Sequence, residues 1–137
     1  MSQPESLMRK KVVKILSDFD AFAVENPCLP GTPDINCTLG WIECKKMRAW
    51  PKRPGTIVRL DHSLTPQQRI WLNRRCKKGG RAYVLVQVER DFLLLWGTTA
   101  AEQLERLPKA ELIDVAILHC VGWAALEERL ITTLRQR

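Results

Sequence analysis

The sequence has none of the features that place a chain in a membrane or send it through one. No apolar run in its 137 residues approaches the roughly 20 residues that a transmembrane helix needs. The first residues, Met-Ser-Gln-Pro-Glu-Ser, are polar and lack the apolar core of a signal peptide. We therefore expect a soluble protein in the cytoplasm or another intracellular compartment, without a membrane partner.

The sequence also lacks the cysteine pattern of a disulfide framework or a zinc knuckle. It has five cysteines, an odd number, and no two of them form a CxxC pair. We expect buried or half-buried free thiols in a reducing compartment. The cysteines are Cys28, Cys37, Cys44, Cys76 and Cys120.

Internal repeats and low-complexity segments are absent, and the length suits one domain rather than two. We predict a single domain over residues 1–137, with a core over about residues 5–97 and a helical C-terminal extension over about residues 98–137.

Positive charge is unevenly distributed along the chain. The net charge is +7, but residues 1–81 carry 16 Lys and Arg against 7 Asp and Glu. Residues 82–137 carry 6 against 8, so the whole excess lies in the first part of the chain. A one-sided excess is typical of nucleic-acid-binding proteins, because cationic side chains that contact phosphates release condensed counterions.

Apolar periodicity and turn residues predict a mixed α/β fold around one sheet. A short turn at Leu39–Gly40 predicts a hairpin, and the long segment Met47–Leu64, with two prolines and a glycine, is predicted to be a loop. The predicted elements are a helix (5–18), strands (19–24, 34–38 and 41–45), a helix (66–78), strands (82–88 and 92–96) and a helix from about residue 122.

The second predicted helix has a well-marked start. Thr65 suits the N-cap, Pro66 the first helical position, and Gln68 stands three residues after the cap, as in a capping box. Gln68 also shares the apolar face of this helix with Trp71 and Leu72. We therefore expect its side chain to point toward the sheet, and both a capping and a functional role remain open.

The predicted hairpin brings acidic side chains together. Asp34 and Glu43 fall on neighbouring strands, within reach of a single cation, and the backbone carbonyl of Cys44 can face the same place. Hard oxygen ligands suit Mg²⁺ or Mn²⁺. Lys45 lies two residues after Glu43 and so on the same face of the strand. A lysine beside such a metal can polarise water or stabilise charge on a phosphate, as phosphodiester hydrolysis requires.

Three motifs in this order carry a resemblance to a known family. They are Pro-Gly-Thr-Pro-Asp at residues 30–34, Trp-Ile-Glu-Cys-Lys at residues 41–45 and Leu-Thr-Pro-Gln-Gln-Arg-Ile-Trp-Leu at residues 64–72. Together they resemble the PD-(D/E)XK nuclease superfamily, and within it the VRR-NUC branch, which is similar to Holliday junction resolvases. The resemblance spans about residues 5–88. It implies a restriction-endonuclease-like α/β core with an extra C-terminal helix.

The resemblance also implies roles for individual residues. Asp34 and Glu43 would be metal ligands for Mg²⁺ or Mn²⁺, Lys45 the catalytic lysine, and Gln68 the glutamine that these families carry on the following helix. Glu5 stands where they place an auxiliary acidic ligand, although an acid in a first helical turn also interacts favourably with the helix dipole. The long insert between Lys45 and Thr65 departs from the commonest pattern.

Basic residues near the motifs are candidate phosphate contacts, although charge runs are usually solvated surface. Trp50 is a candidate for base stacking. His62 is within reach of a substrate but is better interpreted as a solvated loop residue, and Gly31 suits either a phosphate approach or an ordinary turn. The predicted nucleic-acid contacts are Lys46, Arg48, Lys52, Arg53, Arg69, Arg74, Arg75, Lys77 and Lys78.

The function that the resemblance implies is metal-dependent endonucleolytic cleavage of DNA. Domains of this size in the resembled families often act as homodimers on branched DNA, so a four-way junction is the leading substrate hypothesis. The alternatives are a catalytically idle DNA-binding module of the same fold, an accessory interaction subunit, and an enzyme that acts on RNA.

Overall fold

The computed structural model describes residues 3–137, which form a mixed α/β domain built around one six-stranded sheet. In chain order the elements are α1 (Gln3–Ile15), a 3-10 helix (Ser17–Phe19), β1 (Phe22–Ala23), β2 (Ile35–Cys37), β3 (Gly40–Met47), α2 (Pro66–Lys77), β4 (Ala82–Val88), β5 (Asp91–Trp96), α3 (Gly97–Gln103), α4 (Lys109–Val115), β6 (Leu118–Val121) and α5 (Trp123–Arg135). Within the described residues, no helix has the length and apolar character that a membrane span requires.

The strands lie in the sheet in the order of the sequence, from β1 to β6. Only β3 and β4 pair in parallel, and every other neighbouring pair is antiparallel. Parallel neighbours need a crossover connection, which here consists of the long loop after Met47 and the helix α2. The predicted hairpin is confirmed, with Ile35 opposite Ile42 and Cys37 opposite Gly40.

Two hydrophobic clusters form the core, one on each face of the sheet. Alternate side chains along β4 and β5 point to opposite faces, so Tyr83 and Phe92 join one cluster while Val84 and Leu93 join the other. The first cluster is covered by α1 and α5, and the second includes residues of α2, α3 and α4.

The predicted helix after Thr65 is confirmed with its start as expected. Thr65 is extended at the N-cap, its hydroxyl accepts a hydrogen bond from the backbone of Gln68, and Pro66 opens the helix. The capping box is complete, since the Gln68 side chain bonds back to the Thr65 backbone. Local side-chain chemistry therefore determines where α2 begins.

The predicted strand over residues 19–24 is mostly wrong. Ser17–Phe19 forms a 3-10 helix, and Asp20 after it has a left-handed backbone with φ of 54°. The turn leaves only Phe22 and Ala23 to pair with β2. The short apolar run that suggested a longer strand is used for packing instead, with Phe19 against the α1-side core.

The segment predicted as a helical extension contains more than helices. The short elements α3, α4 and β6 had no sequence signal strong enough to predict them, and β6 pairs antiparallel with β5 as the last strand of the sheet. The C-terminal helix itself is confirmed: Leu126, Leu130 and Leu134 are buried with α1 residues in the first cluster.

The long loop over residues 48–65 has no helix or strand but is packed against the domain. Val58, Leu60 and Leu64 are buried in the second cluster. The Asp61 amide donates to the carbonyl of Lys46 at 2.9 Å, and the Val58 amide to that of Leu107 at 3.0 Å. These contacts fix the loop beside the end of β3.

Candidate active site

The hairpin register brings Asp34 and Glu43 into direct contact. Ile35 pairs with Ile42, so Asp34, one residue before β2, lies opposite Glu43 on β3. The Asp34 amide donates to Oε1 of Glu43 at 3.2 Å, and the Cys44 amide donates to Oδ1 of Asp34 at 3.2 Å. The two carboxylates that the sequence predicted as a pair are therefore adjacent.

Lys45 extends along the same face of β3 as Glu43. Its Nζ lies 3.9 Å from Oε2 of Glu43 and 3.5 Å from the carbonyl oxygen of Ser63. Glu43 is 6% exposed and Lys45 is 4% exposed, which is rare for charged side chains unless they are paired. A buried cation and a buried carboxylate thus lie side by side next to the loop.

Gln68 caps α2 and also contacts Glu43. Its Oε1 accepts a hydrogen bond from the Thr65 amide at 2.9 Å, which closes the capping box. Its Nε2 donates to Oε2 of Glu43 at 3.2 Å, so the opposite end of the amide reaches the site. The cap orients the side chain, and the sheet-facing position brings it to the carboxylate.

Burial raises the pKa values of both site carboxyls. The pKa of Glu43 rises to about 8, chiefly from loss of solvent and next from repulsion by Asp34, with Lys45 opposing. The pKa of Asp34 rises to about 6, again chiefly from burial, although the Cys44 amide and the charge of Arg9 lower it. Two ionised carboxylates in this environment repel each other and lack solvent, so a cation between them would be stabilising.

The main-chain groups of Cys44 point to the β2 edge of β3. Its N–H donates to Asp34 past the end of β2. The N–H and C=O of one strand residue point to the same edge, so the Cys44 carbonyl points to this edge too. Its thiol lies on the other face, fully buried in the α1-side cluster.

Glu5 and Arg9 of α1 complete a cavity beside Asp34. The cavity, of about 240 Å³, is lined by Glu5, Ser6, Arg9, Asp34 and His62. Oε2 of Glu5 is buried and has no hydrogen-bond partner among the described residues. Arg9 was not predicted from the sequence, although its position one helical turn after Glu5 was a usable signal.

Most of the predicted phosphate contacts are at the surface. Lys46 is half-buried, and the others apart from Arg69 are exposed. The guanidinium of Arg75 lies 4.6 Å from the ring centroid of Trp71, so it stacks on the protein. Lys52 and Arg53 line a cavity of about 640 Å³ beside α4. The exposed set is Arg48, Lys52, Arg53, Arg74, Arg75, Lys77 and Lys78.

Arg69 belongs to the interior framework rather than to a phosphate-binding surface. Its guanidinium donates to the carbonyls of Ala101 at 2.9 Å and Leu104 at 3.0 Å and pairs with Glu105 at 3.4 Å. These acceptors occupy the donors that a phosphate would need, because a guanidinium has only five N–H groups. Arg69 therefore links α2 to the end of α3, and we no longer interpret it as a nucleic-acid contact.

Trp50 is likewise engaged within the fold. Its indole N–H donates to Oδ2 of Asp91 at 2.7 Å, and the ammonium of Lys109 lies 4.8 Å from its ring centroid. Base stacking by this ring is therefore not supported. His62, by contrast, is exposed at the cavity beside Asp34.

All five cysteines are free, as expected. Four are buried or half-buried, and Cys28 is the exposed exception.

The site offers oxygen ligands of the kind that Mg²⁺ and Mn²⁺ prefer. In residues 3–137, no cluster of three or more His, Cys, Asp or Glu side chains has metal-binding geometry, so two carboxylates and a carbonyl are the candidate set. Comparisons with protein-family models, with curated proteins and with solved structures found no match for this chain. The family likeness therefore rests on the motif residues themselves.

Proposed function

We propose that this chain is a metal-dependent nuclease that hydrolyses phosphodiester bonds in DNA. One observation carries the proposal: groups from the hairpin and from α2 converge on the Glu43 carboxylate. The main-chain amide of Asp34, before β2, lies 3.2 Å from it, the Gln68 side-chain amide, on α2, also lies 3.2 Å from it, and the Lys45 ammonium, farther along β3, lies 3.9 Å from it. Structural burial alone gives no reason to place two carboxylates, an ammonium and an amide together, because burying them costs free energy.

The donor set supports a divalent cation at this place. Asp34, Glu43 and the Cys44 carbonyl would hold it, and Glu5, which lines the cavity beside Asp34, is the auxiliary ligand that the family resemblance implies. When bound, such an ion lowers the pKa of its water and polarises the phosphate. The raised pKa values of Asp34 and Glu43 support this assignment, because they show that Arg9 and Lys45 do not fully offset the cost of burying the two carboxylates.

The chain's own residues contribute charge and orientation. The ammonium of Lys45 can stabilise negative charge that grows on the phosphate oxygens in the transition state. Gln68 holds one oxygen of Glu43 by a hydrogen bond, and such a partner fixes the orientation of a ligating carboxylate. Arg9, which lines the same cavity as Asp34, supplies a second cation next to it.

The order of elements is compatible with the expected nuclease core. We assign the restriction-endonuclease-like unit to α1, the strands β1 to β3, α2 and β4, with the later elements as additions. Three exposed cations at the C-terminal end of α2 are proposed as contacts to the DNA backbone: Arg74, Lys77 and the C-cap residue Lys78. Branched DNA as substrate and a homodimer as the active form follow from the family resemblance and are part of the same proposal.

A substrate panel tests the activity. Linear, nicked, flap and four-way-junction DNAs, together with a matched RNA, are incubated with Mg²⁺, with Mn²⁺ or with EDTA. Cleavage of DNA that EDTA abolishes is expected, and a preference for the junction would support a branched substrate. Binding without cleavage under every condition would favour the idle DNA-binding module, and cleavage of RNA alone would replace DNA as the substrate.

The variant Asp34→Asn tests the site. It should abolish cleavage while DNA binding persists, because the surface cations are untouched. Asp114→Asn is the matched control, since Asp114 is an exposed aspartate on α4, and it should cleave as the wild type does. Cleavage by Asp34→Asn at a near wild-type rate with Mg²⁺ would disprove the assignment.

A further inference from the structure

Glu105 is a buried carboxylate outside the segment that resembles the nuclease family. It is 9% exposed and lies just after α3 with a left-handed backbone, φ of 70°. Its oxygens accept hydrogen bonds from the Ser63 hydroxyl at 2.9 Å and from the Leu64 amide at 3.0 Å, with the Leu60 amide at 3.4 Å. A non-glycine residue keeps this conformation only when its surroundings determine it strongly.

The peptide group between Ser63 and Leu64 links Glu105 to Lys45. Its N–H donates to Oε1 of Glu105 at 3.0 Å. Its carbonyl oxygen lies 3.5 Å from Nζ of Lys45, at the long end of the hydrogen-bond range. Because a peptide group is planar, a hydrogen bond that fixes its N–H also fixes the direction of its C=O.

Glu105 also contacts α2. The residue after Leu64 is Thr65, the N-cap of α2, and the Arg69 guanidinium on α2 lies 3.4 Å from Oε1 of Glu105. Oε1 thus contacts both the Leu64 amide of the loop and the Arg69 guanidinium of α2, while Oε2 accepts from the Ser63 hydroxyl and the Leu60 amide. One side chain therefore links the loop beside Lys45 to α2.

We propose that Glu105 is a positioning residue for Lys45, acting through the Ser63–Leu64 peptide. This inference rests on the proposed nuclease function. The carbonyl of Ser63 holds the ammonium beside Glu43, where it faces the reacting phosphate. Loss of the Glu105 contacts lets the peptide rotate, and the ammonium then loses its second fixed neighbour. Lys45 remains present but is less well placed.

The variant Glu105→Gln preserves the shape of the side chain but replaces one acceptor oxygen by a donor. Displacement of a catalytic group by about 1 Å can cost on the order of a hundredfold in rate. We expect the single-turnover cleavage rate to fall by about tenfold to a hundredfold, while the affinity for DNA changes little. Glu102→Gln is the matched control, because Glu102 is an exposed glutamate of α3, and its rate should equal that of the wild type.

A double-mutant cycle distinguishes positioning from general destabilisation. If Glu105 acts through Lys45, Glu105→Gln should have almost no further effect on the rate in a Lys45→Ala background. Equal fold losses in the two backgrounds would overturn the proposal, because a loss unrelated to Lys45 multiplies with the loss of Lys45. Ser63→Ala, which removes only the hydroxyl contact, provides a milder variant if Glu105→Gln fails to fold, and its smaller loss should vanish in the Lys45→Ala background too.

A measurement without DNA separates this proposal from the proposed function. NMR on the metal-free protein follows the Lys45 ammonium and amide hydrogen exchange at Leu60 and Leu64. Both the ammonium signal and the two amides should change in Glu105→Gln, or in Ser63→Ala if the former does not fold, but not in Glu102→Gln. Amides that exchange faster beside an unchanged Lys45 signal would overturn the coupling. A wild type that cleaves nothing while the coupling is observed would refute only the nuclease function.

Discussion

The carboxylate of Glu43 is the most heavily used group in the site. One oxygen accepts from the Asp34 amide, and the other accepts from Gln68 and faces Lys45. Each partner offers a hydrogen or a positive charge, which favours the ionised form, but burial and Asp34 outweigh them and raise the pKa of Glu43. The divalent cation that we propose beside Glu43 would therefore favour its ionised form.

A variant of Lys45 distinguishes an active nuclease from a catalytically idle protein of the same fold. Lys45→Ala should lower the single-turnover cleavage rate by about 10²-fold or more, the scale of losing one preorganised charge-stabilising donor. DNA affinity should fall far less, because many surface cations remain. Lys45→Arg should rescue the rate poorly, since the guanidinium is larger and spreads its charge.

Lys10→Ala is the control for this experiment, because Lys10 is an exposed lysine of α1, and it should leave the rate unchanged. If Lys45→Ala lost affinity and rate in equal proportion, Lys45 would be a phosphate-binding residue and the chemistry would have to be reassigned.

At the scale of elements, α2 connects the local capping signal to the site. Its first turn holds Gln68 against Glu43, and Gly31, in the loop between β1 and β2, lies directly on that turn. A Cβ at Gly31 would overlap the backbone of Gln67, and the φ of Gly31 is +92°. Gly31 is therefore required because its loop packs closely on α2. This packing explains the glycine without a bound phosphate.

Two variants of the α2 capping box should separate stability from function. Thr65→Ala removes the cap but leaves the Gln68 amide near Glu43, so it should cost about 1 kcal/mol of unfolding free energy with little change in cleavage rate. Gln68→Ala also removes the donor to Glu43 and should lower the rate by about tenfold or more, as loss of a partner of a metal-ligating residue does.

Chemical denaturation and single-turnover cleavage of both variants measure the two effects. Equal rates for Thr65→Ala and Gln68→Ala would mean that Gln68 serves only as a cap.

For the whole molecule, the unevenly distributed charge has a clear structural counterpart. Several cations of the basic first part are exposed on α2 and in the 48–65 loop, while Arg69 is engaged within the fold. The acidic last part supplies Glu105 and Asp91, which hold Arg69 and Trp50 in place. Part of the acidic excess in residues 82–137 thus stabilises the fold.

The metal-free protein should lose stability as the pH rises. The pKa values of Glu43 and Asp34 lie at about 8 and about 6 in the folded state, above their ordinary values of 4.5 and 3.8. Between the ordinary and the folded values the folded state binds more protons than the unfolded state, so the free energy of unfolding falls with increasing pH. In EDTA, Tm should be lower at about pH 8 than at about pH 5, more so for the wild type than for Glu43→Gln.

Mg²⁺ should raise the Tm of the wild type more at the higher pH, because the ligands must be deprotonated to bind it. Glu25→Gln is the control, since Glu25 is an exposed loop glutamate. Parallel Tm curves for the wild type and Glu43→Gln would contradict the origin of this pH dependence.

Local patterns determined the parts of this protein in which neighbours in sequence are neighbours in space. The hairpin turn placed Asp34 beside Glu43, the two-residue period put Lys45 on the face of Glu43, and the Thr65 cap began α2. These predictions needed only strand periodicity, turn chemistry and capping. The same patterns failed where segments are short, as at β1 and β6.

Tertiary packing decided which distant groups meet. Gln68 reaches Glu43 across 25 residues, Lys45 meets the Ser63 carbonyl across 18, and Glu105 accepts from Leu60 across 45. The interior role of Arg69 and the raised carboxyl pKa values also depend on burial beneath elements remote in sequence. Periodicity predicts the face of the element on which a side chain lies. Which groups contact that side chain, and how much solvent reaches it, depend on how the elements pack together.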